Sequence, residues 1–183
     1  MLTEEDIADS VLVEHAQDGD TSAFELLVRR YQNPVYRIAL RVTGNEGDAA
    51  DAAQEAFIAA WRQLPELDNP ATFSGWLYRI VSRRALNSIR SRRPTSPIGE
   101  DGAELPDPSI GPEHHSVATD LRSALAKALE NLPPPQRVCW TLRELEGMSY
   151  EEIAAIVDAT PTAVRGRIHR ARTHLVEALK PWR

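Results

Sequence analysis

Apolar residues recur at steps of three and four along most of this 183-residue chain, and the strict alternation that is typical of a β-strand is nearly absent. The helical period covers eight stretches, at about 9–17, 20–43, 47–63, 72–92, 117–131, 134–146, 149–158 and 161–179. The pattern therefore predicts an all-α fold.

A segment without this period divides the helices into two groups. Residues 94–117 hold five prolines and three glycines and show no sustained apolar pattern. Such a composition is typical of a flexible linker. We therefore expect two small helical domains, at 1–93 and 118–183.

The C-terminal domain contains a helix-turn-helix pattern. Ser149 and Glu152 are spaced as a capping box, and Thr160 followed by Pro161 predicts a second helix start. The second helix has an apolar stripe at Val164, Ile168, Ala171 and Leu175. Its opposite side is polar and basic, with four arginines in eight residues. A basic helix after a tight turn suits insertion into the major groove of DNA.

A second basic helix is predicted at 73–93, where Leu77, Ile80 and Val81 would face a core. Arginines recur on another side beside Trp76, and no acid occurs between residues 69 and 93. Aromatic rings beside arginines suit single-stranded nucleic acid, because the rings stack on bases and the cations pair with phosphates. The alternative is a solvated basic face with Trp76 in the core.

The predicted helix at 48–61 is acidic on one side. Asp48, Asp51 and Glu55 lie within about 60° of one another on a helical wheel. Ala50, Ala53, Phe57, Ala60 and Trp61 are assigned to the apolar side. Periodicity alone favours a solvated acidic face. A carboxylate metal site is disfavoured, because the Glu-x-x-His pairs of di-metal bundles are absent.

The charge distribution supports two nucleic-acid surfaces despite a net charge of −6. Residues 159–183 carry +5 and residues 69–93 carry +6, whereas the rest of the chain carries −17. Because salt limits electrostatic reach to about 8–10 Å, a phosphate responds to the local charge. The acidic remainder is expected to reject non-specific DNA and to meet a basic partner.

Other residue types narrow the function class. Cys139 is the only cysteine and lies in an apolar run, so we expect it to be buried. We also expect the side chains of Tyr31, Tyr36 and Trp61 to pack in the core. Neither a signal peptide nor a membrane-length apolar run is visible, which predicts a cytoplasmic protein. The histidines lack ligand spacing, so neither a metal nor a cofactor is expected.

Several strings, in this order, resemble the extracytoplasmic-function (ECF) group of bacterial RNA polymerase sigma factors. They are GDAADAAQEAFIAAW, FSGWLYRIVSRRALNSIR, ENLPPPQRVCWTLRELEGMSYEEIAAIV and TPTAVRGRIHRARTHL. The match spans about 16–93 and 120–180. It implies a non-enzymatic subunit, monomeric when free, that binds core polymerase, directs it to promoter DNA and assists melting. The family commonly has an anti-sigma partner.

The resemblance also implies three sets of site residues. The set for a coiled coil in the largest catalytic polymerase subunit comprises Asp48, Asp51, Gln54, Glu55 and Ile58. The set for the −10 element, where a base is flipped out, comprises Asn69, Phe73, Ser74, Trp76, Tyr78, Arg79, Arg83, Arg84, Asn87 and Arg90. The set for the −35 element comprises Thr162, Arg165, Gly166, Arg167, His169, Arg170 and Arg172.

Three of these positions differ from the usual family pattern. Arg83 stands where the family usually has Asn, Asn87 where it often has Asp, and Gly166 where it often has Ser. A helix-turn-helix repressor or activator, binding a palindromic site as a dimer without polymerase, is the alternative reading. An enzyme ranks third, because neither a nucleophile–base pair nor a phosphate-binding glycine loop is apparent.

Overall fold

The computed structural model describes residues 7–92 and 117–182, and the regular elements in both ranges are helical. The helices are α1 (Asp9–Gln17), α2 (Thr21–Thr43), α3 (Glu46–Gln63), α4 (Phe73–Arg92), α5 (Val117–Glu130), α6 (Pro134–Glu144), α7 (Tyr150–Ile156) and α8 (Pro161–Ala178). Short 3-10 turns occupy Leu64–Glu66, Pro70–Thr72 and Lys180–Trp182. The all-α prediction is confirmed. The predicted linker lies outside the described residues except for Val117.

Side-chain caps fix several helix starts. The Asp20 carboxylate accepts from the backbone N–H of Ser22 at 2.9 Å, and Gly44 ends α2 with a φ of 71°. The predicted capping box is confirmed: Ser149 N–H donates to the Glu152 carboxylate at 2.7 Å, and Glu152 N–H donates to the Ser149 hydroxyl at 3.2 Å. These bonds lower the pKa of Glu152.

Helices α1, α3 and α4 pack around α2. Helix α3 makes its contacts through a face of small side chains. Its buried residues are Ala49, Ala52, Ala53, Ala56, Ala59 and Ala60. Two predictions for this helix were wrong, because Ala50 and Trp61 are exposed. Helix α3 has alanines on several sides, so the apolar pattern of its sequence did not show which side is buried. Tyr36, also expected to pack inside, is exposed as well.

The helices on both sides of the undescribed segment share one hydrophobic core. Val35, Leu77 and Val81 belong to the same buried cluster as Leu142 and Ile153. Helix α2 contacts α5 and α6, and α4 contacts α7. We call this packing of α2 and α4 against α5, α6 and α7 the closed arrangement. The sequence predicted the two helix groups but not their shared core.

Two buried polar side chains join the halves of the closed arrangement. Arg137 is 6% exposed, and its guanidinium donates to the backbone carbonyls of Val42 at 2.7 Å and Leu132 at 3.0 Å, and also to that of Glu130. Burial lowers the pKa of Arg137. Because Val42 lies in the last turn of α2, this arginine ties the end of α2 to the start of α6.

The second buried group is the carboxylate of Glu146, in the loop between α6 and α7. Its side chain is 6% exposed and accepts from Nη2 of Arg37 at 2.8 Å. The Tyr78 hydroxyl donates to its other oxygen at 3.4 Å. Burial, followed by the nearby Glu146 charge, raises the pKa of Tyr78 to about 12. Glu146 thus binds α2 and α4 together, and the sequence analysis did not single it out.

Candidate functional site

The outer face of α8 is open to solvent. The predicted apolar stripe is confirmed, because Val164, Ile168, Ala171 and Leu175 are all buried. The Thr160 hydroxyl accepts from Ala163 N–H at 3.1 Å and fixes the helix start. This orientation leaves Thr162, Arg165, His169 and Arg170 exposed on the other side.

Arg167 and Arg172, two of the predicted arginines on α8, are engaged with neighbouring polar side chains. Arg167 is half-buried and approaches the thiol of Cys139, which partly offsets the rise that burial causes in the pKa of Cys139. Arg172 donates through Nε to the carboxylate of Glu144 on α6 at 3.1 Å. This hydrogen bond raises the pKa of Arg172. Arg165 and Arg170 are exposed as well, and neither forms an ion pair within residues 7–92 and 117–182.

The basic side of α4 divides into a buried part and an open part. Phe73 and Tyr78 are buried in the core, and Ser74 and Trp76 are half-buried. Arg83, Arg84, Asn87 and Arg90 are exposed. Asn69 caps the turn before α4 by accepting from Ala71 N–H at 3.1 Å. In this arrangement Phe73 holds α4 in place and does not present its ring to solvent.

An acid from the helix-turn-helix lies against the basic side of α4. Asp158, in the turn between α7 and α8, accepts from Arg79 at 3.1 Å and forms a second ion pair with Arg83. A cleft of about 340 Å³ continues along this contact, lined by Leu86, Asn87, Arg90 and Val157 among others. Sequence reasoning missed Asp158, because residues 79 and 158 are brought together only by the shared core.

The acidic side of α3 faces solvent and lies opposite the buried alanines of the same helix. Asp51, Gln54, Glu55 and Ile58 are exposed, and Asp48 is half-buried. Ile58 is 44% exposed and gives this side an apolar centre. Glu55 accepts from Arg84 on α4 at 3.1 Å, so the acidic side of α3 touches the basic side of α4.

No cluster of three or more potential metal ligands occurs in residues 7–92 and 117–182. In the same part of the chain, none of the helices combines the length and apolar character needed to cross a bilayer.

Comparison with known proteins gives two regional matches and a set of full-length relatives. The Sigma-70 region 2 family matches residues 27–95, and the Sigma-70 region 4 family matches residues 122–175. The ECF RNA polymerase sigma-E factor of Escherichia coli (strain K12) is 41% identical over 97% of both chains. The sigma-E factor of Haemophilus influenzae is 38% identical over 97% of this chain and 98% of its own.

The chain belongs to the ECF sigma factors. It is a transcription initiation factor that binds core RNA polymerase and directs it to promoters, and this membership excludes the dimeric repressor reading. The solved structure of CnrH, in complex with the cytosolic domain of CnrY, shares the fold at a TM-score of 0.72, with 30% identity over 96% of this chain and 99% of that one. The sigma factor RpoE from Bartonella quintana, in complex with the anti-sigma factor NepR, has a TM-score of 0.64 and 23% identity over 86% and 96% of the two chains.

The sigma factor should become more stable when Gly166 is replaced by alanine. A Cβ at this position would lie 3.5 Å from Nη1 of Arg170, which is an ordinary contact. Because alanine favours the helix, we expect Gly166→Ala to raise the free energy of unfolding by about 0.5–1 kcal/mol in a urea titration. An unchanged or lower value would contradict this expectation. A simultaneous loss of −35 affinity would show that the backbone at Gly166 approaches DNA closely.

Proposed function

We propose that the three exposed surfaces of this sigma factor act as its polymerase-binding, −10-binding and −35-binding surfaces. The acidic side of α3 binds core polymerase, the basic side of α4 with Asn69 binds the −10 strand, and the outer face of α8 binds the −35 duplex. Residues 1–93 and 118–183 act as separable domains in the cytoplasm, where the polymerase is found, and the factor performs no bond chemistry itself.

The observation that carries this proposal is that exposed charges of one sign collect on each of three helix faces, two of which meet at the Glu55–Arg84 ion pair. Arg165 and Arg170 are open on α8, and Arg83 and Arg90 are open on α4. The exposed acids lie on α3, which carries neither of these arginine groups, and the exposed Ile58 lies among them. Two modest DNA-binding surfaces held on one polymerase gain effective concentration, so neither needs a high affinity alone.

We also propose that an anti-sigma protein holds this factor. The relative CnrH was solved with the cytosolic domain of CnrY bound, and this chain resembles it along nearly its whole length. A partner that binds both halves would stabilise the closed arrangement by mass action, because it binds that arrangement better than an open one.

Run-off transcription from a randomised promoter library with purified core polymerase tests the proposed function. We expect selected promoters to share two asymmetric elements. The Arg165→Ala variant should lose about 1–3 kcal/mol of −35 binding, because arginine on this face pairs with base edges or phosphates. Lys180→Ala, which removes an equal charge beyond the end of α8, is the matched control. An unchanged −35 preference in the Arg165→Ala variant would contradict the role of Arg165.

A further inference from the structure

Tyr150 lies where arginines from two helices meet. It is the first residue of α7, directly after the capping residue Ser149. The guanidinium carbon of Arg143 on α6 lies 4.9 Å from the centre of its ring, and that of Arg165 on α8 lies 5.2 Å from the same point. Both distances are within the range in which a cation is attracted to the electron-rich face of an aromatic ring.

The ring itself is held firmly. Tyr150 is half-buried and packs against the main hydrophobic core. Arg143 is anchored as well, because its Nη1 donates to the carbonyl of Met148 at 2.6 Å. Arg165 is the exposed member of this group and projects from the outer face of α8. The ring therefore forms a fixed surface against which a long, exposed side chain can rest.

We propose that Tyr150 is a positioning residue for promoter recognition, which orders the guanidinium of Arg165 before the −35 element binds. This inference rests on the proposed role of Arg165 in −35 binding. An arginine loses much rotamer freedom when it binds DNA, and a side chain already ordered by a ring loses less. Recognition-helix residues near the N-terminal end are the ones that reach base edges, and Arg165 is the fifth residue of α8.

The test compares four variants of the full chain assembled with core polymerase: Tyr150→Phe, Tyr150→Leu, Arg165→Ala and the double Tyr150→Leu, Arg165→Ala. Competition between a preferred −35 duplex and a mismatched one measures −35 discrimination. We expect Tyr150→Leu to reduce affinity for the preferred duplex by about two- to five-fold, the effect of a cation–π contact at an exposed site. Tyr150→Phe keeps the ring and removes only the hydroxyl, which also acts on Arg172, so it should rescue the part of this loss that comes through Arg165.

The double variant shows whether Tyr150 acts through Arg165 or only supports the fold. The double variant should bind no more weakly than Arg165→Ala, because a positioning residue has nothing left to position. A loss from Tyr150→Leu that persists at full size in the Arg165→Ala background would overturn the proposal. Tighter −35 binding by Tyr150→Leu would also overturn it, since the ring would then be holding Arg165 away from DNA.

A second measurement distinguishes this inference from the proposed function. The NMR resonance of Arg165 Nε–H in the free protein reports the ring directly, and it should shift in Tyr150→Leu but not in Tyr150→Phe. If that shift is absent, the ring does not order Arg165. If the shift is present but Arg165→Ala leaves −35 binding unchanged, Tyr150 orders Arg165 but Arg165 does not bind this element. The proposed role of Arg165 in −35 binding is then wrong.

Discussion

The double change Asp51→Arg, Glu55→Arg is expected to abolish association of this sigma factor with core polymerase. Both side chains are exposed on α3, on the same side as Ile58. Reversing two charges in an interface with a basic partner places like charges together, which costs several kcal/mol. We expect the dissociation constant to rise by about 100-fold or more, measured by fluorescence anisotropy with labelled factor and purified core enzyme.

The fold should tolerate this change. Among the described residues, Glu55 gives up an exposed ion pair with Arg84 at 3.1 Å, and such pairs contribute about 0–1 kcal/mol. Glu14→Arg, Glu25→Arg is the matched control, because it changes the net charge equally at exposed positions on α1 and α2. Polymerase binding that is equally weak in both variants, or unchanged in the first, would mean that the acidic side of α3 is merely solvated.

The local structure of this protein follows closely from its sequence. The capping box, the Thr160–Pro161 start and the stripe from Val164 to Leu175 each depend on residues within about three helical turns. Such signals are complete in the sequence itself. The buried side of α3 was less accurately predicted, because its many alanines leave the hydrophobic period weak and only contact with α2 and α4 selects one side.

The closed arrangement could not be predicted in the same way. Arg37 and Glu146 are 109 positions apart, and Arg83 and Asp158 are 75 apart. The sequence around a single acid in a loop does not predict which distant arginine it will contact. The contact between Tyr150 and Arg165 is likewise a product of how α7 packs on α8. The sequence therefore suggested three candidate surfaces, which remain predictions, but gave no sign of the side chains that join the two halves.

The closed arrangement is too compact to occupy both promoter elements. The −35 and −10 elements are centred about 25 base pairs apart by their names, which is about 85 Å at 3.4 Å per base pair. The described residues pack around a shared core, and a compact body of their number has a radius of gyration of about 15 Å and is thus about 40 Å across. In addition, Asp158 occupies Arg79 and Arg83. With the proposed −10 surface on α4 and the proposed −35 surface on α8, binding of both elements requires α4 and α7 to separate.

A reversible cross-link between these helices should abolish promoter-directed transcription. Leu86 on α4 and Val157 at the end of α7 line the same cleft, and neither belongs to a proposed binding surface. We expect the variant Leu86→Cys, Val157→Cys, joined by a short cleavable bis-maleimide, to lose at least about ten-fold in run-off transcription. Cleavage of the linker should restore it, because the two halves can then separate. The native Cys139 is fully buried and its pKa is raised, so it should not react.

The two single-cysteine variants treated with the same reagent control for modification of the cleft itself. They should transcribe as well as the cleaved double variant, since neither links α4 to α7. Full activity of the linked protein would mean that the sigma factor initiates without opening, and the ion pairs of Asp158 would then have no bearing on promoter access. A loss that cleavage does not reverse would point to damage at the cleft. Only a loss that is specific to the link and reversed by cleavage identifies domain separation as a step in promoter binding.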